Sequence, residues 1–166
     1  MSNTKVKITV RDFGEMIVEL YPDKAPKTVE NFLGLVKSGF YSGLIFHRII
    51  AGFMIQGGGF DESFDHIEAP AIKGEFIRNG FMSNDIKHKR GVLSMARTMD
   101  PNSASSQFFI MHKDAPHLDT QYAAFGAVVE GIEVVDAIAN VKTGNYSYFS
   151  DVPKTSVVIE KMEIIE

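Results

Sequence analysis

The sequence predicts a mainly β protein, an eight-stranded antiparallel closed barrel accompanied by two α-helices. Eight short apolar runs have the length and composition of strands, and two further segments have helical spacing. All but one of the connections are short, whereas a parallel sheet would need a helix between most strand pairs. The length of 166 residues and the hydrophobic content of 45% suit a single domain, residues 1–166, with one sizeable core.

The chain opens with a predicted hairpin and a helix. Apolar and polar residues alternate over residues 6–10 and again over residues 16–20, as expected for strands with one buried face. Residues 12–14 form the turn between them. A helix then begins near Pro26, since proline is tolerated in a first turn, and Gly39 supplies a left-handed end. The apolar face of this helix consists of Val29, Phe32, Leu33 and Val36.

A second hairpin, residues 46–59, gives the first indication of function. Two short apolar runs are joined by an Ala-Gly turn, and the second run ends in three glycines. Strand side chains alternate, so we expect Phe46, Arg48 and Ile50 on one face. An unpaired buried cation costs several kcal/mol, so we expect the arginine at a rim or at the mouth of a pocket. The residues that share a face on the return strand are Met54 and Gln56.

The rest of the chain predicts one long loop, four strands and a second helix. Residues 60–90 contain isolated hydrophobes without either period, and we interpret them as a long loop packed by its own side chains, with one or two helical turns. A polar loop at residues 98–106 joins two of the later strands. These regular segments are strands at residues 92–96, 107–111, 123–129 and 157–164 and a helix at residues 131–140.

Composition and charge exclude several classes of function. The net charge of −4 and the pI near 5.7 argue against a broad basic face for nucleic acid. The absence of cysteine excludes disulfides and thiol chemistry and fits a reducing compartment. Residues 1–11 lack the apolar block of a signal peptide, and no apolar run approaches the ~18 residues of a membrane span. We therefore expect a cytoplasmic protein that binds neither nucleic acid nor membranes.

Motifs for hydrolysis and group transfer are missing from the sequence. There is no Gly-x-Ser-x-Gly elbow, and Gly52 and Gly57 have P-loop spacing without the Lys-Ser/Thr that phosphate binding requires. The five histidines never pair at i, i+4, and no thiolate supports them. We therefore expect no metal site and no cofactor, and a metal-dependent hydrolase is the least supported alternative.

Several motifs follow one another in order along nearly the whole chain. They are Phe46-His47-Arg48, residues 53–59, residues 93–96, residues 106–110 and Phe125-Gly126. Together they resemble the cyclophilin family of peptidyl-prolyl cis–trans isomerases, and residues 96–98 and 151–154 further resemble its bacterial cytoplasmic branch. The resemblance implies an eight-stranded barrel capped by two helices, with the active groove on its outer face. It also implies isomerisation of Xaa-Pro bonds in unfolded or flexible chains, which assists protein folding.

The resemblance also implies which residues form the groove. Arg48, Phe53 and Gln56 are the implied catalytic residues. The implied substrate-binding residues are Met54, Ala96, Arg97, Gln107, Phe109, His117, Leu118 and Tyr122. The implied partners are proline-containing peptides and unfolded proteins, bound by a monomer.

Three groove positions depart from the best-known eukaryotic members of the family. His117 stands where those members have tryptophan, Tyr122 where they have histidine, and Arg97 where they have asparagine. The loop after Arg97 is also one residue longer. The tryptophan position matters for cyclosporin in this family, so we expect cyclosporin to bind with weakened affinity.

Each candidate residue also has a plain structural interpretation. Arg48 could pair with a loop carboxylate such as Glu75 rather than face substrate. The apolar candidates could be ordinary core residues, the two glutamines could bond backbone at strand ends, and His117 and Tyr122 could be plain surface residues. A proline-binding module with little turnover would use the same groove, and it differs from an isomerase in not needing Arg48.

Overall fold

A computed structural model describes residues 3–165. Met1, Ser2 and Glu166, the ends of the predicted domain at residues 1–166, lie outside the described residues. The helices and strands in chain order are β1 (Lys5–Val10), β2 (Gly14–Leu20), α1 (Pro26–Lys37), β3 (Arg48–Ile50), β4 (Met54–Gly57), β5 (Val92–Met95), β6 (Phe108–Met111), β7 (Ala124–Glu130), α2 (Ile132–Ala139), β8 (Thr143–Tyr146), β9 (Phe149–Pro153) and β10 (Ile159–Ile164).

Eight of the strands form one antiparallel sheet in the order β10-β1-β2-β7-β5-β6-β4-β3. The terminal strands β3 and β10 do not pair along their length. The chain before β3 instead bonds the chain at the start of β10, where the Gly43 N–H donates to the Ile159 carbonyl at 2.8 Å and the Phe46 N–H to the Val157 carbonyl at 2.9 Å. The predicted mainly β, antiparallel fold is confirmed. The predicted closed barrel is overstated, because only these few irregular bonds join the two ends of the sheet.

The barrel interior is filled by the alternating faces that the sequence predicts. Every second residue of β1 is buried, and its neighbour β2 follows the same period from Met16 onward. Helix α1 places Phe32 among the rings of Tyr41, Phe108 and Phe125, with centroids 5.1–5.7 Å apart. Helix α2 buries Val134, Val135, Ile138 and Ala139. Both helices therefore lie on the barrel through one apolar face.

The predicted long loop is present, and buried polar groups hold it in place. Between β4 and β5 the only helical segment of the described chain is one 3₁₀ turn, Ile77–Asn79. The buried carboxylate of Glu75 accepts from the Thr28 N–H and hydroxyl, both at 2.7 Å, at the start of α1. The Asn84 amide donates to the Glu75 and Ala124 carbonyls at 2.8 and 2.9 Å. These bonds satisfy groups that burial would otherwise penalise.

Three details differ from the predictions. Phe46 does not share the Arg48 face but lies in the barrel core, because regular pairing begins only at Arg48 and the chain before it is irregular. Strands β8 and β9 form a separate two-stranded sheet that was not predicted, since its residues are mostly polar or exposed and show no alternation. Strand β10 begins two residues later than predicted.

His47 is a buried histidine among aromatic rings. Its ring lies 4.6 Å from the Phe60 centroid and 6.4 Å from those of Phe64 and Phe149, and its Nδ1 atom has no hydrogen-bond partner among residues 3–165. Burial, and then the positive charge of Arg48, lower the pKa of His47 from 6.5 to about 4. The unfolded chain therefore binds the proton first as the pH falls from about 6.5 to about 4.

We expect this histidine to make the protein less stable in mild acid. Its folded pKa is depressed, so the stability is complete above the unfolded pKa and is lost as the pH falls. Between about pH 7.5 and about pH 5 the loss from this one group is about 2 kcal/mol. Urea unfolding of the wild type and of His47→Phe at both pH values measures this loss of unfolding free energy. The two proteins have all other titrating groups in common, so the difference between them is due to His47. Equal pH dependence in both proteins would show that His47 does not titrate as its burial requires.

Candidate functional site

The candidate site lies on the outer face of the sheet formed by β3, β4, β6 and β5. Arg48 pairs with Gln56 across the β3–β4 hairpin, and Gln56 pairs with Phe109 on β6. Alternation places Ile49 and Ile55 in the core, so Arg48 and Gln56 point to the other face. Two adjacent strand pairs therefore set a cation, an amide and an aromatic ring beside one another.

These strands surround a hollow of about 130 Å³. Nine residues line it, all of them predicted: Arg48, Phe53, Met54, Gln56, Ala96, Arg97, Phe109, Leu118 and Tyr122. An adjoining hollow of about 220 Å³ shares Gln56, Ala96 and Arg97 with the first and is also lined by Gln107. His117 is exposed at the rim, where its ring stacks on Phe53 with centroids 5.7 Å apart. All eleven predicted site residues therefore meet in one groove.

A chain of side-chain hydrogen bonds orients the arginine. The Arg48 Nη1 donates to Gln56 Oε1 at 3.2 Å, and Gln56 Nε2 donates to Gln107 Oε1 at 3.0 Å. Glu75, the alternative partner, is bonded instead to the first turn of α1. The proposed pairing of Arg48 with Glu75 is therefore wrong, and the guanidinium keeps donors that no carboxylate of the described chain occupies.

The floor of the hollow is apolar and rigidly packed. Met54, Phe109 and Leu118 are 2%, 5% and 8% exposed and belong to an apolar cluster separate from the barrel core. Tyr122 meets Phe109 edge to face, with centroids 5.8 Å apart. The plain interpretation of these residues as buried is thus correct, but the surface that they bury is the floor of the groove.

Arg97 forms one wall of the groove and is held there on both faces. Its guanidinium lies 4.8 Å from the Phe76 centroid and 4.7 Å from that of Tyr122. It also donates to the Gln121 carbonyl at 2.7 Å and to the Thr98 carbonyl at 2.9 Å. Sequence reasoning missed Phe76 and Gln121, because they stand in loops where neither strand nor helix periodicity gives a signal.

Three glycines, the last residue of β4 and the two that follow it, leave room for this arrangement. A Cβ at Gly57 would lie 2.7 Å from the Ile45 carbonyl oxygen, and Gly58 has a φ of +91°, which favours glycine. A Cβ at Gly59 would lie 2.5 Å from the side chain of Gln107. The sequence indicated only that these glycines end a strand, whereas in the structure they set the position of the second glutamine.

The charge of the groove is opposite to that of the chain as a whole. The two cations that line the hollows are Arg48 and Arg97, and the half-exposed His66 also lines the second hollow. No carboxylate of the described residues lines either hollow. The net charge of the chain is −4.

No three histidine, aspartate or glutamate side chains of the described residues lie close enough together to hold a metal ion. No helix among the described residues has the length and apolar character to cross a membrane.

The family model described as cyclophilin type peptidyl-prolyl cis-trans isomerase/CLD matches residues 5–164. The chain belongs to the cyclophilin family. A peptidyl-prolyl cis-trans isomerase from Acinetobacter baylyi is 44% identical over 170 residues, covering 99% of this chain and 87% of that protein. Peptidyl-prolyl cis-trans isomerase B of Escherichia coli is 44% identical over 161 residues, covering 92% and 95%.

Solved structures agree with the family assignment. The crystal structure of a cyclophilin type peptidyl-prolyl cis-trans isomerase from Cryptosporidium parvum matches with a TM-score of 0.81 and 30% identity, covering 99% of this chain and 98% of that one. A second structure of that protein, in the presence of the dipeptide Ala-Pro, matches with a TM-score of 0.80. The cyclophilin chain described here is thus a peptidyl-prolyl cis–trans isomerase, which accelerates rotation about Xaa-Pro bonds and assists protein folding.

We expect Gly59→Ala to reduce isomerisation without touching Arg48. The added methyl group would displace Gln107, and Gln56 would lose its acceptor. The loss should lower kcat/KM about threefold to tenfold, the equivalent of one hydrogen bond of about 0.5–1.5 kcal/mol. Exchange of an Xaa-Pro peptide followed by NMR gives the rate. Gly34→Ala, where a methyl group meets nothing within 4 Å, is the matched control. Equal rates for Gly59→Ala and wild type would argue that the hydrogen bond from Gln56 to Gln107 does not help to orient Arg48.

Proposed function

We propose that Arg48 is the catalytic group and that it acts on Xaa-Pro bonds of peptides and unfolded chains lying across the groove. One observation carries the proposal. The guanidinium stands beside an apolar hollow and has the neutral Gln56 as its one hydrogen-bond partner among the described side chains. Its remaining donors are free to meet a substrate.

The energetic demand on the protein is modest. Rotation about an amide faces a barrier of ~18–20 kcal/mol, because resonance is lost when the bond is twisted. A barrier of ~20 kcal/mol gives a rate of about 10⁻² per second, and a turnover of about 10–10³ per second needs ~13–16 kcal/mol. The protein must therefore supply only ~4–7 kcal/mol, which requires no covalent intermediate.

A hydrogen bond from Arg48 to the prolyl nitrogen lowers the barrier, because it forms in the transition state and not in the ground state. In the planar ground state the nitrogen lone pair is delocalised and does not accept a hydrogen bond. In the twisted transition state the lone pair returns, so a donor aimed at it binds that state alone and raises the rate. The bond is charge-assisted, and the low dielectric of a partly dry groove strengthens it.

The rest of the groove holds the substrate while one side of the bond turns. Phe53, Met54, Phe109 and Leu118 would seat the proline ring. Gln56 would orient the guanidinium, and Gln107 would anchor the flanking peptide in the adjoining hollow together with Ala96 and Arg97. His117 and Tyr122 would limit the groove at its rim. We propose that a monomer, with a single domain over the matched residues 5–164, carries all of these groups.

Removing the guanidinium should abolish most of the catalysis and leave much of the binding. We expect Arg48→Ala to lower kcat/KM at least about 100-fold, as for loss of a transition-state donor elsewhere. The dissociation constant of the peptide should change less than about tenfold, or 1.4 kcal/mol. NMR exchange gives the rate, and peptide titration gives the affinity.

Two comparisons make this experiment decisive. Arg78→Ala removes an exposed arginine that lies outside the groove and serves as the charge-matched control. Arg48→Lys keeps the charge but not the planar fork of donors, and we expect it to restore only a small part of the rate. An Arg48→Ala protein with more than half of the wild-type rate would overturn the assignment. Wild-type protein that binds the peptide without accelerating exchange would favour a proline-binding module.

We propose that cyclosporin binds this groove with weakened affinity because His117 occupies the rim. The imidazole stacks on Phe53 but offers less apolar area than an indole ring. We expect His117→Trp to lower the cyclosporin concentration needed for half-inhibition at least about fivefold, or ~1 kcal/mol. Inhibition titrations of the two proteins test this. Equal inhibition would mean that the rim residue does not set drug affinity here.

A further inference from the structure

Two buried polar side chains, His88 and Ser94, and the partly buried Asp119 form a hydrogen-bonded series next to Phe109 of the groove. His88 Nδ1 lies 3.1 Å from Asp119 Oδ1, and His88 Nε2 lies 2.9 Å from Ser94 Oγ. The side chain of His88 is 0% exposed and that of Asp119 15%, and Ser94 is 0% exposed as a residue. The isomerase mechanism above uses none of the three.

The geometry fixes the proton positions on the imidazole. An ionised carboxylate only accepts hydrogen bonds, so Nδ1 carries the proton and donates to Asp119. Nε2 is then an acceptor, and the Ser94 hydroxyl donates to it. Asp119 Oδ1 also accepts from the His88 backbone N–H at 2.6 Å. A neutral ring thus satisfies every polar group in the series.

The series has the order of a hydrolase triad but cannot work as one. A nucleophilic serine must reach a substrate carbonyl, whereas Ser94 is fully buried in β5. Its hydroxyl bonds the His88 ring, and Ser94 lines neither hollow of the groove. The three residues therefore act through the segments of the chain that their hydrogen bonds link.

His88 joins the two elements that enclose the apolar hollow. Its ring stacks on Phe109, with centroids 6.1 Å apart and planes 20° apart. Its carbonyl accepts from the Ala115 N–H at 2.8 Å, and Asp119 ends the 3₁₀ turn Pro116–Leu118. That turn carries Leu118, which lines the hollow together with Phe109. The spacing between these two floor residues thus depends on the contacts that His88 makes with both of their elements.

We propose that His88 and Asp119 are positioning residues that set the width of the proline pocket by holding the Leu118 turn against Phe109. The inference deepens the proposed function and rests on it, because it concerns how the same groove grips the proline ring. The groups that face His88 are Asp119, Ser94, Phe109 and Tyr122, and the nearby titratable side chain is that of His117. Burial lowers the pKa of His88, and the hydrogen bond and charge of Asp119 only partly offset this lowering. The His88 ring therefore stays neutral near pH 7.

The expected signature is a separation of KM from kcat. The pocket grips the proline ring equally in the ground and transition states, so a looser pocket raises KM and leaves kcat nearly unchanged. His88→Phe keeps the stacked ring but removes both side-chain bonds, and we expect KM to rise about fivefold with kcat within about twofold. Asp119→Asn keeps an acceptor oxygen without its charge, and we expect a rise of about threefold.

Thr28→Val is the matched control for general destabilisation. It removes a hydrogen bond from a buried hydroxyl to Glu75, outside both hollows, so stability should fall while KM stays at the wild-type value. If His88 served only the fold, its variants would resemble this control, with fewer active molecules, lower apparent kcat and unchanged KM. That result, or unchanged KM in both variants, would overturn the proposal.

Two further measurements keep the outcomes distinct. In wild-type protein with ¹⁵N-labelled histidine, NMR should find the proton of His88 on Nδ1, and a proton on Nε2 would overturn the assigned network. Peptide dissociation constants, measured by titration, should rise in both variants with KM. Wild-type protein without exchange activity would refute the proposed function, and the dissociation constants would still decide whether the pair sets the pocket.

Discussion

A guanidinium beside an apolar hollow persists only if something orients it without neutralising it. The structure meets this constraint by dividing the polar side chains between two tasks. Glu75, the carboxylate that could have paired with Arg48, is instead used at the first turn of α1, where it fixes the long loop. Arg48 receives the neutral oxygen of Gln56, which holds one donor and leaves the others available. A carboxylate in the same position would hold the arginine more firmly, but it would occupy the donors and neutralise the charge that the substrate requires.

The barrel converts this local requirement into a fixed geometry. Arg48, Gln56 and Phe109 occupy facing positions on consecutive strands, so the sheet register sets their separation. The glycines at the end of β4 let the neighbouring backbone and Gln107 approach closely enough to complete the chain of side-chain hydrogen bonds. Leu118, which is also part of the floor, stands on a short 3₁₀ turn, and a turn of that length has few bonds of its own. The hydrogen bonds between His88 and Asp119 link that turn to the residues next to Phe109.

Periodicity predicted the first two strands and both helices, because each of them buries one face. Strands such as β5 and β6 are buried at every position and were predicted from their apolar composition and short length. The same reasoning failed where burial and period separate. Phe46 was assigned to the wrong face because the chain before β3 is irregular. The β8–β9 hairpin was missed because residues such as Tyr146 and Tyr148 are largely exposed and bear no alternating pattern. Strand alternation and the cost of burying a cation predicted Arg48 at the mouth of a pocket. The groove residues as a set came from family motifs, since they are scattered over five segments of the chain. His88 had no signal in periodicity or in the family motifs, yet its side chain is fully buried.

The sign of the charge in the groove affects how a client chain first meets this protein. An acidic surface repels acidic segments and draws basic ones toward itself, but the concave face lined by Arg48 and Arg97 does the reverse over a short distance. At physiological ionic strength such fields extend only about 8 Å, so they act during the final approach and not in bulk diffusion. A negative side chain near the proline of a client chain would therefore be attracted to the two arginines over the final part of its approach, and a lysine in the same position would be repelled.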